Sequence, residues 1–196
     1  MKKIFFSLAL VAGTFALAQQ TNAGNSSSSV RFGLKAGLNI SRFSDSDSRF
    51  KTGFNAGVFA NIPVAKDFSF QPEVLYNQVG TKAKANSGLK VNVDYISVPL
   101  MLQYNALPNL YLEAGPQFSF LVNSKLRYKS YSTNTKDQFK TFDFGVGIGA
   151  GYYLTENIGI TARYVAGLTD VVKNTPGVYD GKSKNNVIQV GLVYKF

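Results

Sequence analysis

The side chains that most enzymes use as a general base or a metal ligand are missing from this sequence. Its 196 residues include no histidine and no cysteine. Nucleophilic catalysis would therefore need a carboxylate, a lysine or a tyrosine as its base. Transition metals would lose their preferred imidazole and thiolate ligands. We expect no enzymatic activity and no bound metal or cofactor.

Charged residues recur singly within stretches where apolar and polar residues alternate. They share the polar side of those stretches and comprise Lys35, Glu73, Glu113, Asp143, Arg163 and Lys195. Isolated charges inside a protein are costly, so these residues are expected to pair. We predict a lumenal charge network in which Lys35, Glu73, Glu113 and Arg163 interlock, with Asp143 on the same surface. Such a network would plug a narrow interior, and a gated ion path is the alternative.

Two further stretches resemble binding loops. In "GVGIGAG", residues 145–151, the glycines alternate strictly, whereas a dinucleotide loop needs them in a turn between a strand and a helix. They predict one small-residue face of a strand that leaves room for bulkier neighbours. In "SDSDS", Asp45 and Asp47 could hold calcium, but a solvated loop is the favoured interpretation.

The elements that position these residues are strands. In residues 30–40, Phe32, Leu34, Ala36, Leu38 and Ile40 share one face, and polar or small residues share the other. This two-residue period predicts a strand with one apolar side. The same pattern predicts strands near 30–40, 52–62, 68–78, 92–104, 110–122, 140–154, 158–169 and 186–196. Pro72, Pro99 and Pro116 fall within them, so bulges, strand ends or different strand bounds are expected there.

Short and long connections alternate between these strands. The segments 63–67, 105–109 and 155–157 are short, whereas 41–51, 79–91, 123–139 and 170–185 are long and polar. This alternation is typical of outer-membrane barrels, whose short turns face the periplasm. A soluble lipocalin-like barrel is the alternative, but the apolar face is too large and aromatic for a small interior. The sequence therefore predicts an all-β, eight-stranded antiparallel transmembrane barrel with up-and-down topology, of the small OmpA or OmpX type.

The first residues predict export. Lys2 and Lys3 precede an apolar run that ends in Ala16-Leu17-Ala18, as in a secretory signal peptide. A spanning helix would need about 20 apolar residues, which is more than the run from Ile4 to Leu17 supplies. We expect a signal peptide at 1–18, a flexible lead-in at 19–29 and the barrel at 30–196.

The long connections are basic, and the chain has a formal net charge of +10. Candidate anion contacts are Lys82, Lys84, Lys125, Arg127 and Lys129. Nucleic acid could meet such a surface, but outer-membrane lipid and lipopolysaccharide phosphates are the expected partners.

Several motifs resemble one family. "GLKAGLNIS", "FQPEVLYNQVG", "YISVPLMLQY", "LYLEAGPQFSF", "FDFGVGIGAGYYLTENIGITARY" and "VGLVYKF" are similar to the PorT-like outer-membrane β-barrel family of the Bacteroidetes. The family often has an acid where this chain has Ser97. The resemblance implies a barrel without catalytic residues, porin-like in most relatives and linked to protein secretion in the founding member.

The C-terminal alternation resembles the signal that the barrel-assembly machinery reads. The ladder comprises Ile188, Val190, Leu192, Tyr194 and Phe196. Strand addition would recognise its alternate side chains. Phe196→Ala is then expected to lower the amount of protein in the outer membrane, and unchanged levels would contradict this role.

Together these features predict a non-enzymatic integral protein of the bacterial outer membrane with both termini in the periplasm. It would have a plugged polar lumen and a structural or surface-interaction role through long basic external loops. A narrow porin-like channel, or a component of protein secretion with an unknown surface partner, is the alternative.

Overall fold

Eight long β-strands dominate the computed structural model, which describes residues 29–44, 48–83, 89–128, 131–173 and 183–196. The long strands are β1 (Arg31–Phe43), β3 (Lys51–Ala65), β4 (Phe68–Ala83), β5 (Leu89–Leu107), β6 (Leu110–Tyr128), β8 (Phe142–Tyr153), β9 (Ile158–Asp170) and β10 (Lys184–Lys195). Two short strands, β2 (Ser48–Arg49) and β7 (Tyr131–Asn134), and a 3₁₀ helix (Lys136–Gln138) lie between them. In this part of the chain no helix is long and apolar enough to cross a membrane. The predicted signal peptide, and the lead-in apart from Ser29, lie outside the described residues.

The long strands close into a barrel. Each pairs antiparallel with the next long strand along the chain, and β10 pairs with β1. The closing ladder runs from Gly33 opposite Lys195 to Phe43 opposite Asn185. Closure removes the free edges that an open sheet would expose. The predicted eight-stranded antiparallel barrel with up-and-down topology is therefore confirmed.

The distribution of side chains is reversed relative to a soluble barrel. Leu38 and Val190 point outward and are 58% and 51% exposed. Their polar neighbours Asn39 and Gln189 point inward and are buried. An apolar exterior with a polar interior suits a lipid surround and would be unstable in water. The lipocalin-like alternative, with apolar side chains inside, is therefore excluded.

The two ends of the barrel differ in their connections. Lys66-Asp67 joins β3 to β4, Pro108-Asn109 joins β5 to β6, and residues 154–157 join β8 to β9. The first residues of β1 and the last residues of β10 lie at this same end, which we call the short-turn end. The opposite end, where the longer connections lie, is the long-loop end.

Strands β4, β5 and β6 continue further toward the long-loop end than predicted. Residues 79–83, 89–91 and 123–128 were assigned to loops by their polarity but form paired ladders. A register shift occurs where Asp94 and Tyr95 face Asn123 and Leu121, so that β6 carries an extra residue, Val122. A bulge of this kind exchanges the inward and outward faces beyond it, which hides the alternation in the sequence.

The three prolines do not lie at bulges or strand ends, so those two expectations are wrong. Pro72 faces Leu100, Pro99 faces Gln117 and Pro116 faces Val146 within continuous registers. Pairing is interrupted close to them, as between Phe59↔Glu73 and Ile62↔Phe70 in the β3–β4 ladder and between Pro99↔Gln117 and Leu102↔Ala114 in the β5–β6 ladder. Each proline lacks the N–H for one ladder hydrogen bond, but the register continues unshifted past it.

The interior is polar toward the short-turn end and contains an apolar cluster toward the long-loop end. The apolar cluster comprises Phe43, Val79, Val93, Tyr95, Leu121, Phe139, Val165, Val171 and Val187. Phe139 and Val171 come from segments between strands, and the Phe139 ring lies 6.1 Å from that of Phe43. The lumen is therefore mixed in this half and not purely polar, because residues from two connections fold inward and bury apolar surface in a region that also buries Lys51 and Asp143.

Candidate functional site: the lumen and the long-loop rim

An ion-paired cluster lies inside the polar half of the barrel. Arg163 on β9 donates from Nη2 and Nη1 to the two carboxylate oxygens of Glu73 on β4, at 2.7 and 2.9 Å. Its Nε donates to Glu113 Oε1 on β6 at 2.7 Å. Lys35 Nζ on β1 lies 3.4 Å from Glu73 Oε1. The structure thus joins four strands through two cations and two carboxylates.

Amide side chains surround this cluster. Gln71 donates to Glu73 at 2.9 Å, and Gln103 donates to Glu113 at 3.2 Å. Asn61 donates to the side-chain oxygens of both glutamines, at 3.3 and 2.9 Å. The side chains of Arg163, Glu73 and Glu113 have no solvent exposure. Charges buried this deeply require such complete pairing and hydrogen bonding.

The alternating glycines of β8 make room for the cluster. A Cβ on Gly147 would lie 3.0 Å from Met101 Cε and 3.4 Å from Arg163 Cδ, and one on Gly149 would lie 3.0 Å from Glu113 Oε1. A Cβ on Gly151 would overlap the ring of Tyr111. The predicted small-residue face is therefore confirmed, and it lies in the lumen.

Asp143 does not join the ion-paired cluster. Its carboxylate accepts a hydrogen bond from Thr169 Oγ1 at 2.7 Å. Asp143 precedes Gly149, which faces Arg163, by six residues along β8. At about 3.4 Å per residue, the two positions are about 20 Å apart along the strand. Asp143 is therefore buried in the lumen, on the predicted surface, but lies outside the cluster that the other four residues form.

A second hydrogen-bonded layer was not predicted. Asn55 donates to Asn39 at 2.7 Å, Asn39 donates to Asn77 at 3.2 Å, and Gln189 donates to Asn77 at 2.9 Å. These residues lie two pleats beyond the ion-paired cluster toward the long-loop end, since Asn39 follows Lys35 by four residues. Their inward parity was visible in the sequence, but only the register of four strands shows that they meet.

The mouth of the barrel at the short-turn end contains a cavity of about 780 Å³. Arg31, Asn61, Ser69 and Lys195 are among the residues that line it. Lys195 Nζ also lies 4.1 Å from the centre of the Tyr153 ring. The cavity reaches Asn61, whose amide is bonded to Gln71 and Gln103. The hydrogen-bonded cluster therefore forms the floor of this vestibule.

The predicted anion contacts lie on strands rather than in loops where they are described. Lys82 is on β4, and Lys125 and Arg127 are on β6, while Lys84 and Lys129 lie outside the described residues. Arg49 on β2 and Lys90 on β5 complete this basic surface. Their positions in polar stretches gave no sign that strand pairing continues through them.

The C-terminal ladder faces outward along β10. Its members Ile188, Val190, Leu192, Tyr194 and Phe196 are all exposed. The Tyr194 and Phe196 rings meet edge to face at 5.3 Å, and Phe196 N donates to Phe32 O at 2.8 Å. The role of this ladder as an assembly signal stays a prediction.

Comparisons with known proteins agree with this architecture. A family model described as "outer membrane protein beta-barrel domain" matches residues 17–173. Neisserial surface protein A is similar in fold, with a TM-score of 0.57 and 16% identity over 84% of this chain and 97% of that one. The attachment invasion locus protein Ail of Yersinia pestis gives 0.52 and 15% over 85% and 98%. No curated protein matches the chain. The match over most of the chain, on a barrel with an apolar exterior, shows that this protein belongs to the outer membrane protein beta-barrel family and is an integral protein of the outer membrane.

Proposed function

We propose that this protein is a non-enzymatic, non-conducting barrel whose lumen is a structural plug and whose long-loop end contacts surface partners. The observation that carries this proposal is the bridge from Arg163 to both Glu73 and Glu113, with all three side chains fully buried. Two cations and two carboxylates balance one another there. A balanced, solvent-free cluster joining four strands holds the wall together and leaves no unpaired charge to attract a passing ion.

The plug has two parts in series. Below lies the ion-paired cluster with its amide layer, and above it lies the apolar cluster that includes Phe43 and Phe139. Eight strands enclose an interior just wide enough for side chains. An ion would have to displace paired carboxylates and then cross an apolar layer, and both steps are costly.

We assign the short-turn end to the periplasm and the long-loop end to the outside. Outer-membrane barrels have short periplasmic turns and longer external connections, and the strands here show that asymmetry. Both termini would then lie in the periplasm. The absence of histidine and cysteine from the whole sequence supports a non-enzymatic role.

Recording ionic current across planar bilayers that contain the folded protein tests the plug. We expect no discrete conductance steps, while a general porin inserted in parallel gives steps. The variant Lys35→Gln serves as the matched probe because it changes a cluster charge. Steps in the wild type whose size or ion selectivity changes in Lys35→Gln would establish the narrow channel in place of the plug.

We further propose that the chain is a PorT-like member of its family, on the motifs given above. The secretion role of that family's founding member gives the second candidate function, in which the long-loop end binds a secretion partner. No contact in the described residues favours it over a structural role.

A further inference from the structure

Four cations form one row across neighbouring strands at the long-loop rim. Arg49 on β2 faces Lys82 on β4, which faces Lys90 on β5, which in turn faces Arg127 on β6. Directly opposed residues share one face of a sheet and lie about 5 Å apart. The row, which we call the cationic row, therefore spans about 14 Å across four strands.

No carboxylate neutralises this row among the residues that the structure describes. The ion pairs found there all belong to the lumen. The nearest acid on the same ladder is Asp94, four residues from Lys90 along β5, and it accepts hydrogen bonds from Gln78 and Asn123. Like charges directly opposed in a sheet repel one another, so the row would be stabilised by an anion.

The opposite side of the barrel shows a different arrangement. There Lys184 on β10 faces Asp170 on β9. Lys184 thus lies opposite an acidic residue, whereas Lys90, on the other side of the barrel, lies opposite two cations. The ladder between β9 and β10 thus opposes unlike charges at this end, whereas the ladders of β2, β4, β5 and β6 oppose like charges.

The cationic row points away from the lumen. Lys82 has the outward parity of Tyr76, and Lys90 has that of the exposed Ile96. Arg127 would face inward if β6 were regular, but the bulge at Val122 turns it outward, opposite Lys90. Arg49, Lys90 and Arg127 are exposed and Lys82 is half-buried. The row thus continues the outer, apolar surface of the wall upward past the layer that holds Asp94.

We propose that the cationic row is a binding site for the phosphate groups of an anionic lipid in the adjacent leaflet of the outer membrane. Its place on the outer wall favours a lipid over a soluble polyanion, because acyl chains can pack on the apolar surface below while the phosphates meet the cations. Lys125, opposite Asn92, adds a cation one pleat nearer the apolar surface. The length of the row suits a headgroup with two separated phosphates. The proposal rests on the outward orientation of the long-loop end assigned above.

Binding to diphosphoryl and monophosphoryl lipid A with identical acyl chains tests the site. The folded protein in zwitterionic detergent is titrated with each lipid, and retained lipid is counted by native mass spectrometry. The test variant is Lys82→Gln/Lys90→Gln/Arg127→Gln. The matched control is Lys136→Gln/Lys140→Gln/Lys173→Gln, which removes three exposed cations from the same end but off the row.

We expect the wild type and the control to prefer the diphosphoryl lipid at least tenfold, and the test variant to lose that preference. Added salt should weaken the preference, because exposed charges are screened. A test variant that keeps the preference, or a control that loses it equally, would overturn the proposal. A test variant that loses binding to heparin but keeps lipid binding would also overturn the proposal, since the row would then bind a soluble polyanion.

Two further measurements distinguish a lost binding site from a misfolded variant or a failed plug. A gel shift on heating shows whether each variant is folded. If the triple variant is not folded, Lys90→Gln alone is expected to lower the preference for diphosphoryl lipid A about threefold. The binding assay in detergent involves no current. A wild type that conducts would therefore refute the plug while leaving the lipid preference intact.

Discussion

Charged residues on the same strand lie next to oppositely charged residues inside the barrel but next to like-charged residues at its rim. Glu73 and Lys82 both lie on β4, nine residues apart, yet the first is completely buried among partners and the second stands between two other cations. Inside, burial makes an unpaired charge so costly that every charge in the cluster is matched. Outside, water and ions screen charges that are left unmatched.

This contrast separates what stabilises the protein from what its surface is free to bind. The cluster around Arg163 already holds its ligands and has no capacity for others, since its carboxylates are occupied by four side chains. The cationic row forms no ion pair within the part of the chain that the structure describes. The buried cluster therefore contributes to the stability of the barrel, whereas the cationic row is the surface that we propose binds a ligand.

Removing the central cation should have the largest effect. Arg163→Met would leave Glu73 and Glu113 facing each other in a buried site, with only Lys35 and amides as partners. We expect the free energy of unfolding to fall by about 3–5 kcal/mol, as when one partner of a buried pair is deleted. The chain has no tryptophan, so unfolding in urea is followed by circular dichroism and by the heat-dependent gel shift.

A charge-free version sharpens this result. In Arg163→Met/Glu73→Gln/Glu113→Gln most of the lost stability should return, because no buried charge is left unpaired. Arg31→Met at the vestibule is the control and should change stability by less than about 0.5 kcal/mol. If Arg163→Met unfolded at the wild-type urea concentration, the cluster would not be what holds these four strands.

Removing the peripheral cation of the cluster should have an intermediate effect. In Lys35→Gln, Glu73 keeps both bonds from Arg163 and the bond from Gln71, so only the 3.4 Å contact is lost. We expect a loss of about 1–2 kcal/mol, at the lower end for a hydrogen bond to a charged group. The same urea titration measures it. A loss as large as that of Arg163→Met would show that the two cations contribute equally.

The sequence predicted the interior better than the rim for physical reasons. Alternation around Lys35, Glu73, Glu113 and Arg163 is regular, so parity and strand order alone placed these residues on one surface. Around Lys82, Lys90 and Arg127 the composition is that of a loop. The bulge at Val122 also inverts parity, and nothing in the residues themselves marks its position.

The apolar cluster inside the barrel could not be predicted from the sequence, for a related reason. Val79, Val93 and Val187 have inward parity, but they lie near or beyond the predicted strand ends, where an open mouth was expected. Phe139 and Val171 lie in segments without alternation, and their inward packing depends on two connections folding back, one between β6 and β8 and one between β9 and β10. A pattern with a period of two residues carries no information about such segments.

The smallest effect should come from the rim and should have the opposite sign. Lys90 stands between Lys82 and Arg127, so Lys90→Glu replaces two repulsive neighbours with two attractive ones. We expect a gain of a few tenths of a kcal/mol in zwitterionic detergent at low salt, within the range of cross-strand charge pairs. The gain should vanish at about 1 M salt, where the Debye length falls to about 3 Å. Lys140→Glu, which is exposed at the same end but off the row, serves as the control and should give no gain. A loss of stability in Lys90→Glu would mean that the row is already neutralised by a bound anion or by parts of the chain outside the described residues, and that rim and interior follow the same rule.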